Sequence, residues 1–213
     1  MNKTNKIISF LGIFVIAIII GGYMFFFEAT LCKSISVEIL GNSKNQIIDA
    51  DDIKRIVLKE NKNLTGSSLS SVNLSKLEKK IEEHPAVKNA EVFTKINGVL
   101  GIKLEQRIPI VRVVSRFGDD FYIGEEGSLM PTSKMGTARV LVASGFINFK
   151  YKKNKISIRD TNITKRLIDI YAISKEISKD DFLTAQTEQI YVKRVGEYEL
   201  VPTVGNILCY WEN

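Results

Sequence analysis

Few residues in this 213-residue sequence combine a reactive type with a useful spacing. Asp119-Asp120 and Glu125-Glu126 are adjacent acid pairs in its second half. General acid–base catalysis needs two carboxyls aimed at one bond. Neighbours on a strand point to opposite faces. Both pairs also sit beside glycines, Gly118 and Gly127, where acids serve turns through backbone hydrogen bonds. They read as turn residues. The one histidine, His84, precedes Pro85 at an expected helix end, where a polar cap is the ordinary role. It has no second histidine with which to share a metal. Two cysteines, Cys32 and Cys209, are too few for a disulfide framework or a cysteine-rich metal site. Their spacing leaves open whether they are free or paired. Arg107, Arg112 and Arg116 read as surface or domain-interface residues. The sequence has no Gly-x-Ser-x-Gly, Ser-x-x-Lys, phosphate loop or His-Glu-x-x-His. The expectation is a protein that is not an enzyme and has no cofactor or metal.

The elements that would position these groups begin with an apolar segment. Ile7 to Phe27 carries no charge over 21 residues. At about 1.5 Å per helical residue it reaches roughly 30 Å, the thickness of a bilayer core. Lys3, Lys6 and the free amino group precede it, and Glu28 follows at once. The positive flank stays in the cytoplasm. The prediction is a cytoplasmic tail (1–6), one transmembrane helix (7–27) and a juxtamembrane linker (28–33), with all later residues outside. Ile7, Phe14, Ile18, Tyr23 and Phe27 are the expected anchor residues against the lipid bilayer. A cleaved signal peptide has a shorter apolar core, and Glu28-Ala29-Thr30-Leu31 is a poor cleavage site. Leu31, before Cys32, is too large for a lipoprotein signal.

The remainder is ordinary globular composition, 45% hydrophobic and 25% charged over the whole chain, which excludes wholesale disorder. The net charge of +6 is spread along the chain, so no nucleic-acid partner is expected. The basic run Lys150-Tyr151-Lys152-Lys153 reads as a solvated loop.

Residues 34–106 form the first predicted domain. Ile35, Val37 and Ile39 alternate with polar residues as in a half-buried strand. Asp49 opens a helix, with Asp52 placed to reciprocate the cap. Ile53, Ile56 and Val57 follow at helical spacing. Asn73 or Ser75 starts a second helix with Leu74, Leu77 and Ile81 inward and Glu78 and Glu82 on the wet face, and His84-Pro85 stops it. Ala90, Val92, Thr94 and Ile96 share one face of the next strand. Asn97-Gly98 signals a hairpin into Leu100, Ile102 and Leu104. Residues 107–213 form a mostly-β domain with one long helix over 161–177. It has strands at 110–114 and 138–143, a strand-turn-strand at 117–123, and a hairpin joining 187–195 to 198–204. The fold class is α+β.

Three stretches carry a family resemblance. His84-Pro85-Ala86-Val87, with Glu91-Val92 and the Asn97-Gly98 hairpin, has the pattern of a POTRA module (β-α-α-β-β). Glu105-Gln106-Arg107-Ile108-Pro109 looks like a passage from POTRA to β domain, and Tyr122-Ile123-Gly124-Glu125-Glu126-Gly127 through Pro131 like a segment of that domain. Together with the predicted anchor they resemble the bacterial cell-division family FtsQ, called DivIB in some bacteria. The resemblance implies a non-catalytic scaffold at the division septum of the cytoplasmic membrane. Its implied partners are the bitopic division proteins FtsB and FtsL and, through them, the septal peptidoglycan synthase. A three-stranded sheet covered by helices on one face keeps at least one open edge for a partner strand. Glu91, Phe93 and Lys95 are expected beside the exposed POTRA face. Tyr198 and Val201, in 195–204, are expected near the partner edge of the β domain. Family members usually continue past the Pro202-x-Val-Gly205 segment, so a truncated or frameshifted end is also expected. The alternative is an anchored periplasmic POTRA factor or chaperone for outer-membrane proteins.

Overall fold

The computed structural model describes residues 14–22, 31–41, 45–133, 136–152, 154–204 and, by backbone alone, 209–211. Residues 14–22 are helical (α1), with apolar side chains turned outward: Phe14 is 67% and Ile18 58% exposed. Among the described residues no helix is long and apolar enough to cross a membrane. Most of the predicted span 7–27, with Ile7, Tyr23 and Phe27, lies outside the described residues.

The first domain runs β1 (Ser34–Leu40), α2 (Ala50–Glu60), a 3-10 turn (Leu69–Ser71), α3 (Leu74–Glu82), β2 (Val87–Thr94) and β3 (Val99–Gln106). The predicted β-α-α-β-β order is present. Its sheet has the order β1-β3-β2, with β1 parallel and β2 antiparallel to β3. The period-two pattern buries Leu100, Ile102 and Leu104 against Ile53, Val57, Leu77 and Ile81 of the helices. Asp49 caps α2 by accepting the Asp51 N–H at 2.9 Å. Asp52 does not reciprocate; its carboxylate takes the guanidinium of Arg55 one turn on. Asn73 caps α3 through the Lys76 N–H at 2.9 Å.

One expectation on the hairpin is corrected. Ile96, expected on one strand face with Ala90, Val92 and Thr94, lies outside the strand and is 99% exposed. The strand ends at Thr94 because the turn is longer than two residues. The Lys95 N–H donates to Val99 O at 2.9 Å and the Gly98 N–H to Lys95 O at 3.0 Å. Gly98 takes a φ of 86°, which lifts Ile96 onto the loop tip.

The second domain is one sheet of order β11-β10-β9-β7-β4-β5-β6-β8. Its strands are β4 (Pro109–Val114), β5 (Asp120–Gly124), β6 (Ser128–Pro131), β7 (Leu141–Gly145), β8 (Ile156–Ser157), β9 (Thr187–Val192), β10 (Tyr198–Pro202) and β11 (Cys209–Trp211). Helix α4 (Lys165–Ile177) buries Leu167, Ile170, Ile173 and Ile177 in its core, and α5 (Asp181–Gln186) follows. Strand β7 begins later than expected. Ala138 gives its N–H to the Tyr122 hydroxyl at 3.0 Å and so stands outside the ladder. Helix α4 begins at Lys165 rather than Thr161 because a turn at Asp160 takes the Ile163 N–H at 3.2 Å. The short elements β6, β8, α5 and β11 lie outside the expected pattern.

Strand β5 is buried on both faces. Phe121 and Ile123 face α4, whereas Tyr122 faces the first domain and joins its core with Met130 and Ala138. Gln106, the last residue of β3, ties down the segment before α2, where the Asn45 side chain accepts the Arg139 N–H of the second domain at 3.2 Å. The Gln106 Oε1 accepts the N–H groups of Ile47 at 2.7 Å and Ile48 at 3.1 Å, and its Nε2 donates to Asn45 O at 2.9 Å.

Candidate partner-binding edges

The chemistry available to a protein of this architecture lies in the main-chain groups at its sheet edges, since an unpaired edge accepts a further strand. In the first sheet the edges are β2 and β1. Strand β2 is not open. The Val92 N–H donates to Glu78 Oε1 at 2.9 Å and the Ala90 N–H to Glu82 Oε1 at 3.2 Å. These two glutamates stand one turn apart on α3, so they reach successive outward donors of the strand. Both were predicted on the wet face. Nothing in the sequence marks their second role, because it depends on how α3 lies along β2.

Strand β1 is different. The Lys33 N–H donates to Gly98 O at 2.8 Å, toward β3. Cys32 faces the other way, with its N–H on Ser67 O and its C=O taking the Gly66 N–H, both at 2.8 Å. Alternation along the strand then turns the main-chain groups of Ser34, Ser36, Glu38 and Leu40 outward. The Cys32 thiol, free and buried, reaches Ser34 O at 3.8 Å. From Ser36 onward the outward groups have no partner among the described residues. The open edge of this sheet is therefore the outer half of β1.

The predicted face residues lie across the sheet from there. Glu91 and Lys95 are exposed. Phe93 is half-buried, lying flat over Gly101, where a Cβ would meet its ring at 2.5 Å. The Lys95 ammonium stands 5.7 Å from the centre of that ring, a cation–π contact. These three side chains thus form a continuous patch on the face away from the helices.

In the second sheet β10 is not the outermost strand. Tyr198, Glu199 and Leu200 pair with Trp211, Tyr210 and Cys209 of β11. Tyr198 is only 4% exposed, and its hydroxyl donates to Asp169 Oδ2 at 2.7 Å. Its side chain belongs to the core and only borders a groove of about 420 Å³ along α4. Burial, then the hydrogen bond to Asp169, hold its hydroxyl well above the usual tyrosine range. Val201 is half-buried and lies beyond the β11 pairing. The structure does not bring Tyr198 or Val201 together with the Glu91–Phe93–Lys95 patch.

The remaining candidates settle into structural roles. Arg112 pairs with Asp120, which raises the guanidinium above its ordinary value. Arg107 pairs with Glu126, whose other oxygen lies 3.9 Å from Lys88 Nζ. Neither acid pair converges on a common point. Among the described residues no group of three His, Cys, Asp or Glu could hold a metal ion.

Two family models match this chain. Residues 30–105 match a POTRA-like domain. Residues 108–210 match a domain described as FtsQ/DivIB, C-terminal related. The two lie end to end and meet at the passage between the sheets. Together the two matches support the FtsQ/DivIB family for this chain. It is also similar to the cell division protein DivIB of Bacillus subtilis (strain 168), with 29% identity over 136 residues. That alignment takes in 61% of this chain and 46% of the relative, so the chain spans about half the length of the curated FtsQ/DivIB protein it matches.

Proposed function

We propose that this chain is a membrane-tethered cell-division scaffold that holds partner proteins by strand addition and catalyses nothing. The observation that carries this reading is the succession, in one chain, of a POTRA-like domain and an FtsQ/DivIB β domain. The Bacillus relative's name supplies the process, cell division. In this reading Ile7 to Phe27 is a single-pass anchor with its N-terminus in the cytoplasm, and the outward apolar side chains of α1 contact lipid. The partners are bitopic division proteins of the FtsB and FtsL kind, and through them the septal peptidoglycan synthase. A partner strand has a ready template in Ser36, Glu38 and Leu40, with Glu91, Phe93 and Lys95 as a second recognition surface. The β-domain contact lies at the end of the sheet that carries Val201.

The test is depletion of the full chain in cells, with photo-crosslinkers at Ser36 and Val201. Filamentous, undivided cells and adducts to small single-pass proteins are expected. Normal division on depletion, or outer-membrane protein defects without filaments, would overturn the reading.

A further inference from the structure

Strands β9, β7 and β4 lie side by side in that order and run parallel. Their C-terminal ends therefore emerge at one end of the sheet. In open sheets covered by helices this is where ligands gather, next to helix N-termini. Three arginines meet here. Arg116 follows β4, Arg194 follows β9, and Arg166 lies in the first turn of α4. All three guanidiniums surround the ring of Phe146, just after β7, with their carbons 4.4, 4.9 and 5.6 Å from its centre for Arg116, Arg166 and Arg194. The place is built rather than incidental. Arg166 donates to Phe146 O at 2.7 Å and to Arg194 O at 3.1 Å, and the Arg116 N–H donates to Ile147 O at 3.0 Å. Gly145 holds the corner at a φ of 100°, where any Cβ would lie 2.4 Å from Val192 O.

What the cluster lacks, among the described residues, is an ion-pair partner of the kind that Arg107 and Arg112 have. Asp169, one turn on from Arg166, accepts from the Tyr198 hydroxyl and forms no ion pair with the three arginines, and the first turn of α4 carries no acid. Thr164, at the α4 N-cap, makes no side-chain cap, and its Oγ1 is buried without a partner. The helix end adds a partial positive charge to the three cations. Lys150, set over Phe117 at 5.4 Å in the loop next to Arg116, adds another at the rim. An aromatic face offsets part of this repulsion and leaves the rest for a ligand.

We propose that Arg116, Arg166 and Arg194 form a binding site for a phosphate group. A phosphate oxygen set suits guanidinium forks, and a multiply charged anion suits several converging cations better than one carboxylate does. The source is a lipid headgroup or a soluble phosphate.

The test uses the full chain in uncharged detergent micelles, titrated with inorganic pyrophosphate by calorimetry. Saturable binding is expected, weakened at least tenfold in Arg116→Gln/Arg194→Gln and unchanged in the charge-matched Lys54→Gln/Lys179→Gln. The first pair is exposed at the surface, so it spares the fold that Arg166 helps to hold. Phosphatidylglycerol added to the micelles separates the sources. Weaker pyrophosphate binding assigns a lipid headgroup to the site, and unchanged binding assigns a soluble phosphate. No saturable binding, or equal loss in both double variants, overturns the site.

Discussion

At the scale of the residue, His84 shows how position decides chemistry. The sequence places it as a polar helix stop, and in the fold its Nδ1 accepts the Ala86 N–H at 3.3 Å. Burial lowers its pKa below the ordinary 6.5, against a weaker raising influence of Asp52. The folded chain therefore resists protonating this ring more than the unfolded chain does. Below about pH 6.5 the unfolded state binds more protons, so stability is full above that value and declines toward the folded pKa. Protonation also turns Nδ1 from acceptor to donor, which costs the Ala86 bond. The urea midpoint of the wild-type chain is expected to fall between about pH 7.5 and 5.5. His84→Gln is expected to flatten that fall, and an unchanged slope in the variant would refute the assignment. Tyr198 makes the complementary point. Its spacing in the β10 pattern does not reveal whether the ring faces solvent, and only Asp169, on α4, decides it.

At the scale of the element, the two edges of the POTRA sheet behave differently although both strands alternate. Strand β2 is closed by Glu78 and Glu82 of α3, whereas β1 is open beyond Ser34. An edge closed by carboxylates resists pairing with a stray strand. Removing both in Glu78→Ala/Glu82→Ala strips two charge-assisted hydrogen bonds from half-exposed acceptors. The expected cost is about 1–2 kcal/mol for each. It is read as a lower urea midpoint, together with concentration-dependent association in light scattering. Unchanged values for both would show that the glutamates are incidental to the edge. Much of the remaining element structure is legible locally. Asp49 and Asn73 cap helices, His84-Pro85 ends one, and Asn97-Gly98 turns a hairpin. The exception at Ile96 arose because Gly98 supports a three-residue turn as well as a two-residue one, and the pattern of apolar residues cannot distinguish them.

At the scale of the whole molecule, the two domains share apolar structure. Tyr122, Met130 and Ala138 of the second domain sit in the same core as Leu100, Ile102 and Leu104 of the first. Strand β5 carries this arrangement by presenting Tyr122 to one core and Phe121 and Ile123 to the other. Met130→Ala should cost roughly 2–4 kcal/mol, as for a buried side chain cut to a methyl. Hydrogen exchange is expected to quicken at the amides of Ile102 and Leu104 as well as at Ile123. Loss of protection confined to β5 and β6 would show that the cores are independent.

The sequence by itself determined the α+β class, the order of elements in the POTRA-like domain, the inward positions of its two helices and the caps at Asp49 and Asn73. Each of these follows from a local period or a local hydrogen bond. The tertiary structure alone decided which strands are edges, which edge is closed, and which arginines have no ion pair among the described residues. Strand order depends on β1 pairing with β3 and β7 with β4 and β9, contacts between segments distant in the chain. Arg116 therefore reads in sequence like Arg107 and Arg112, and separates from them only when Phe146, Arg166 and Arg194 are folded against it.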